Sequence, residues 1–200
     1  MLHIAADGAH IWVPNKYGKS VTEINAATGA LVKVLSSPSY QFNQPGAIAS
    51  SGGHVWVTNG GNAITELNAA TGALIRVLSA SSYGFTEPGS IAVGGGHVWV
   101  GNLGNNTVTE IKASTGARVK VLDDPSDDFA SPSSIVVHGS HVWVANVSAN
   151  SITELDSSGT LVQVLKDLSF GFSDPEAIVA KGANLFVLNY GNSTITKLTP

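Results

Sequence analysis

Residues Ile91 to Asn102 read IAVGGGHVWVGN, and variants of that stretch occur at Ile4 to Asn15, Ile48 to Asn59, Ile135 to Asn146 and Ile178 to Asn189. In each copy the sixth residue after the isoleucine is polar: His10, His54, His97, His141 and then Asn184. Two positions further on stand Trp12, Trp56, Trp99, Trp143 and then Phe186. The isoleucines are spaced by 44, 43, 44 and 43 residues. A period in the forties marks a stacked or radial repeat, and the content of one unit decides which.

The second unit is representative. Ala47 to Ser50 is a short apolar run that ends at the turn signal Ser51-Gly52-Gly53. His54 to Asn59 alternates β-branched and aromatic residues, which is strand composition. Asn59-Gly60-Gly61-Asn62 turns the chain into a third strand, Ile64 to Asn68. Ala70-Thr71-Gly72 closes a hairpin to a fourth, Leu74 to Leu78, with Gly72 suited to the left-handed position. The long connection Ser79 to Gly89 follows. No segment carries a capped helical period. Four short antiparallel strands, three tight turns and one long connection per unit predict an all-β propeller of four-stranded antiparallel blades.

From the last leucine of the fourth strand to the loop proline the count is always ten, as in Leu35 to Pro45 and Leu165 to Pro175. A loop that crosses from the outer edge of one blade to the inner strand of the next has a fixed distance to span. Residues 1–200 therefore read as one domain, with blades at 1–45, 46–88, 89–132, 133–175 and 176–200. Four blades are complete. The fifth lacks its outer strand, so an unpaired edge is expected at Thr194 to Leu198, and a homo-oligomer that covers it.

Composition narrows the classes of partner. Charged residues are 12% of the chain and the formal net charge is −4, with ten basic residues scattered through the repeats. Such a chain has no basic stripe to neutralise a phosphate backbone, so nucleic acid is excluded as an expected partner. No apolar run approaches the roughly 20 residues that span a bilayer, so no membrane partner is expected, and no signal-peptide pattern opens the sequence. Cysteine is absent, which removes thiolate chemistry and fits either redox compartment, leaving localisation open.

The pattern Ile-Ala-x-x-Gly-x-His-Val-Trp-Val-x-Asn, followed by Thr-Glu-Leu-Asn-Ala-Ala-Thr-Gly-Ala-Leu, resembles the bacterial propeller repeats of the YVTN, NHL and streptogramin-lyase-like group. The resemblance covers essentially the whole chain. It implies blade architecture, and its implication for activity is broad, because the group holds binding scaffolds and enzymes alike. Its members commonly have six or more blades, against which this chain reads as a fragment or an engineered piece.

The histidine series His10, His54, His97 and His141 would sit at equivalent points around a ring. Neighbouring members are then a blade apart, whereas zinc ligands must converge to about 2 Å from one ion. Each is expected to bond to backbone in its own turn. The repeated Glu23, Glu66, Glu110 and Glu154 are expected to link strands, the tryptophans to pack blades, and the asparagines Asn15, Asn59, Asn102, Asn146 and Asn189 to bond to local backbone.

Function is sought where a blade departs from the pattern. Asp123 to Phe129 reads DDPSDDF, with Asp127 where other blades carry Tyr40, Tyr83 or Phe170. Its oxygens suit calcium, yet the spacing is not that of an EF-hand loop, and a solvated acidic loop is the expectation. Lys16 to Lys19 replaces a Gly/Asn-rich turn, His3 and His138 fall outside the repeated position, and Lys197 replaces the repeated glutamate. Glu87, Asp174 and Glu176 flank loop prolines near the expected channel mouth, and with Asp127 and Asp128 they form the candidate ligand-binding set. No catalytic residue, metal or cofactor is assigned, since no P-loop, Rossmann fingerprint, nucleophile elbow or HExxH occurs.

The expected function is a non-enzymatic repeat scaffold, a binding or assembly module for a protein, glycan or small ligand. The alternative that the resemblance implies is a streptogramin-lyase-like carbon–oxygen lyase acting at the channel mouth. That reading needs a histidine within reach of a glutamate from a neighbouring blade.

Overall fold

The computed structural model describes residues 3–200. Strand-forming segments bounded by Gly, Asn and Pro give five consecutive antiparallel sheets. The first holds β1 (Ala5–Ala6), β2 (His10–Asn15), β3 (Ser20–Asn25) and β4 (Leu31–Leu35). The second holds β5 (Pro45–Ser51), β6 (His54–Asn59), β7 (Ala63–Asn68) and β8 (Leu74–Leu78). The third holds β9 (Pro88–Gly94), β10 (His97–Asn102), β11 (Thr107–Lys112) and β12 (Arg118–Leu122). The fourth holds β13 (Pro132–His138), β14 (His141–Asn146), β15 (Ser151–Asp156) and β16 (Leu161–Leu165). The fifth has three strands, β17 (Pro175–Lys181), β18 (Asn184–Asn189) and β19 (Thr194–Leu198). These are propeller blades, about 4.75 of them, each ordered outward along the chain. The loop proline is the first residue of the inner strand in the second to fifth sheets, so the sequence boundaries fall one residue late.

Successive sheets stack face to face, and each strand splits its side chains between two neighbours. The leading face of the second sheet offers Ala47, Trp56, Ile64 and Leu78. It meets Ile91, Val98, Val100 and Ile111 on the trailing face of the third. The same positions recur at the other junctions: Trp12 and Val21 meet Val55 and Val57, Trp99 meets Val142 and Val144, and Trp143 meets Leu185 and Val187. All four tryptophans are buried in these junctions, the packing role that their recurrence implied.

Turn chemistry fixes the register. Gly29, Gly72, Gly116 and Gly159 take φ of +71°, +67°, +71° and +71° between the third and fourth strands, where a Cβ would strain the backbone. Asn25, Asn68 and Asp156 cap those hairpins by accepting two backbone N–H donors each. The long connections fold as short 3-10 turns, Pro38–Tyr40, Ser81–Tyr83, Pro125–Asp127 and Leu168–Phe170, before reaching the next inner strand.

Candidate functional site

In the first four sheets the second strand runs from a histidine at one rim to an asparagine at the other, about 17 Å away, and in the fifth it runs from Asn184 to Asn189. The two rims differ in chemistry. At the asparagine rim the amide nitrogen donates to hydroxyls on the third strand, from Asn102 to Thr107 and Thr109 at 3.0 Å each and from Asn146 to Thr153 at 2.9 Å. This corrects the expectation of bonds to local backbone: the sheet buries the amide beside a hydroxyl that itself needs an acceptor. That hydroxyl donates to the preceding 3-10 turn, from Thr65 to the Tyr40 carbonyl at 2.8 Å and from Thr109 to the Tyr83 carbonyl at 2.9 Å. The long loop is thereby tied to the blade that it introduces.

At the opposite rim the repeated histidines also depart from expectation. Instead of bonding to turn backbone, His54 Nδ1 pairs with Glu66 Oε1 at 2.6 Å. His97 and His141 approach Glu110 and Glu154 at 2.6 and 2.8 Å, and His10 approaches Glu23 at 3.4 Å. The correction follows from register, because Trp56 lies opposite Glu66 and so places the carboxylate diagonally beside the histidine. A fourth-strand group takes the other oxygen: Lys33 at 3.4 Å, Arg76 at 2.7 Å, or Gln163 donating at 2.6 Å. Burial raises the Glu66 and Glu110 carboxyls above the usual range, against the opposing pull of Arg76 and His54 on Glu66 and of His97 and Lys120 on Glu110. Every such pair lies within one blade.

A cleft of about 760 Å³ opens at the asparagine rim. Two kinds of residue line it. The first follows the repeated asparagine: Lys16, Gly60, Leu103, Val147 and Tyr190. The second flanks the loop proline: Gln44, Glu87, Ser131 and Asp174 before it, and Gly46, Gly89, Ser133 and Glu176 after it. The residue after the asparagine and the residue before the proline differ in every blade, while the residue after the proline is glycine in two of the four. Glu87, Asp174 and Glu176 are brought together here, facing one cation, Lys16. None of these four is within 4.0 Å of an opposite charge among the described residues.

The mouth is held rigidly. Gln44, Glu87, Ser131 and Asp174 have φ of +50°, +50°, +53° and +47°, a left-handed conformation that costs roughly 1–2 kcal/mol for a residue with a Cβ. Hydrogen bonds offset it. Asn62, Asn106 and Asn150 of the preceding blades accept from the Glu87, Ser131 and Asp174 amides at 2.9, 2.8 and 2.7 Å. The Glu87 and Asp174 carbonyls accept from the Leu103 and Tyr190 amides at 3.1 and 3.0 Å. Glu87, Ser131 and Asp174 are thus each held by two successive blades.

Asp127 and Asp128 lie elsewhere. Asp127 closes a 3-10 turn and is buried, and its carbonyl accepts from Thr153 Oγ1 at 2.6 Å. Burial, with Asp124 beside it, raises its carboxyl. Asp128 Oδ1 is 3.6 Å from Lys166 Nζ. Among the described residues no group of three or more acidic or histidine side chains is arranged to hold a metal ion. His3, on the inner side of the first blade, is half-buried, and burial lowers its imidazole against the opposing charge of Glu176. Reading departures from the repeat located Lys16 and the three carboxylates. It passed over Gln44, Leu103, Ser131, Ser133, Val147 and Tyr190, which lie at three fixed offsets, one after the asparagine and one on each side of the proline.

No family model matches the chain, and no curated protein sequence matches it. Solved structures do. A computationally designed protein, Ika8, superimposes with a TM-score of 0.76 at 16% identity over 98% of this chain and 57% of its own. A catalytically inactive virginiamycin B lyase variant from Staphylococcus aureus, crystallised with quinupristin, gives 0.81 at 24% identity over 99% and 65%. Hydrazine synthase of Kuenenia stuttgartiensis gives 0.70 at 15% over 98% and 65%. The chain thus spans about three fifths of the length of these proteins, and the likeness shows the fold.

Proposed function

We propose that this propeller is a non-enzymatic binding scaffold whose channel-mouth cleft takes a small amphipathic cation. The observation that supports it is the segregation of variation. The repeated residues are consumed by blade structure, while two positions that differ in every blade, after the asparagine and before the proline, converge on one cleft. Three carboxylates without an ion-pair partner among the described residues outnumber one lysine there, which favours positive charge. Leu103, Val147 and Tyr190 on adjoining turns add apolar and aromatic surface, the combination that fixes an orientation in a small-molecule site.

Calorimetric titration with tyramine tests this, with 4-hydroxyphenylacetate as a control of similar size and opposite charge. The amine is expected to bind and the acid not to. The double variant Glu87→Gln/Glu176→Gln should lose tyramine affinity by tenfold or more, about 1.4 kcal/mol. Equal binding of both probes, or an unaffected variant, contradicts the proposal.

The lyase reading retains one supporting observation, the likeness to the Staphylococcus aureus enzyme. It draws nothing from the repeated histidines. They pair with glutamates of their own blades, at the rim away from the cleft.

A further inference from the structure

The two end sheets carry the two halves of the junction that the chain makes four times within itself. On the trailing face of the second to fifth sheets four positions are buried throughout, those of Ile48, Val55, Val57 and Leu67 in the second. The same positions of the first sheet, Ile4, Ile11, Val13 and Ile24, are apolar but half-buried or exposed, and Ile4 is 68% exposed. On the leading face of the fifth sheet, the positions of Ala49, Trp56 and Ile64 are held by Val179, Phe186 and Ile195. Val179 is 57% exposed and Ile195 67%. Leu188 beside them is 43% exposed.

Polar groups on the two faces also lack their usual partners. At the first three internal junctions a fourth-strand cation lies under the next blade's third hairpin. Lys33 Nζ donates to the Thr71 carbonyl, and a Cβ on Gly116 or Gly159 would press on Arg76 or Lys120. The equivalent hairpin of the first blade, at Gly29, has nothing within 4 Å of such a Cβ. The fifth sheet carries its cation one strand further in, as Lys197, at the position where other blades bury the glutamate. Thr22 likewise accepts from Asn15, but its hydroxyl finds no acceptor among the described residues, unlike Thr65, Thr109, Thr153 and Thr196.

The geometry points to head-to-tail self-association, in which the first sheet of a second copy packs its trailing face on the leading face of the fifth sheet. Ile4, Ile11, Val13 and Ile24 of one copy cover Val179, Phe186, Leu188 and Ile195 of the other, and Lys197 reaches the hairpin at Gly29. The occupant is a second copy because the face to be covered repeats the one that this chain's own blades cover. The unpaired edge of β19, Thr194 to Leu198, borders the same face, so one partner shields face and edge together. The contact joins unlike surfaces, so it propagates to a closed ring or an open polymer, whichever the rotation dictates.

Sedimentation velocity on four samples tests it, with circular dichroism as the check on folding. Wild-type chain is expected as multimers of its 20.5 kDa mass. Ile195→Asp and Ile4→Asp, each altering one exposed end face, are expected as monomers. An equimolar mixture of the two is expected as a 1:1 dimer that grows no further, because one intact head meets one intact tail. Lys197→Glu, which leaves the apolar face whole, should weaken wild-type assembly tenfold or more. Monomeric wild type, multimeric single variants, or a mixture that stays monomeric each overturn the proposal. Multimeric Ile4→Asp in particular would indicate symmetric pairing of β19 edges.

Discussion

His54 Nδ1 lies 2.6 Å from Glu66 Oε1, across two neighbouring strands, on a carboxylate that solvent does not reach. In an isolated site this would look like an acid–base dyad. Its recurrence with Glu23, Glu110 and Glu154 gives it another meaning. Each of the first four blades buries a carboxylate where its third strand bulges, between Glu66 and Leu67 in the second. A histidine on one side and a fourth-strand donor on the other keep that charge partnered.

The buried carboxylates set a sign for the pH dependence of stability. Burial raises Glu66 above its ordinary value, so the folded chain holds that proton more tightly than the unfolded chain. The stability of the neutral form is complete below the unfolded pKa and is lost as pH rises through the folded one. Glu66→Gln removes that loss. Whatever their offset at about pH 4, urea unfolding of the pair should shift in favour of Glu66→Gln as pH rises to about 7. A constant difference contradicts this.

Thr109 accepts from Asn102 and donates to the Tyr83 carbonyl, whereas Thr22 has only the first of those bonds. Thr109→Val strands a buried amide and a buried carbonyl and should cost about 1–3 kcal/mol. Thr22→Val should cost less than about 1 kcal/mol. Denaturant titration of both variants measures the gap, and equal losses would contradict the role assigned to the loop carbonyl.

Gly101 sits where β10 passes β13, and a Cβ there would lie 2.7 Å from the Pro132 carbonyl. Gly101→Ala should destabilise by about 1–3 kcal/mol through overpacking. Gly95, at a turn with open space around it, is the comparison: Gly95→Asn should cost less, because asparagine tolerates its φ of +61°.

The architecture was legible because each blade solves one problem with one set of residues. The isoleucine spacing, the left-handed Gly72 and the ten-residue run from Leu78 to Pro88 all survive into the structure. The His54–Glu66 pair was not legible, because its partners are twelve residues apart and only strand register brings them together. Asp127 and Asp128 misled for a related reason. They break the repeat in composition, but the 3-10 turn retires them from the mouth, and only the residues beside the proline arrive there.

The proposed binding site is the mouth and not the repeated histidine rim. Amide chemical-shift mapping of 15N-labelled chain with millimolar tyramine tests it most directly. A second hollow, of about 540 Å³ and lined by His54, His97 and Lys112, lies at the histidine rim and serves as the internal control. Shifts confined to Glu87, Leu103, Asp174, Glu176 and Tyr190, with His54 and His97 silent, are the predicted result. Shifts centred on His54 and His97, or none at all, would contradict it.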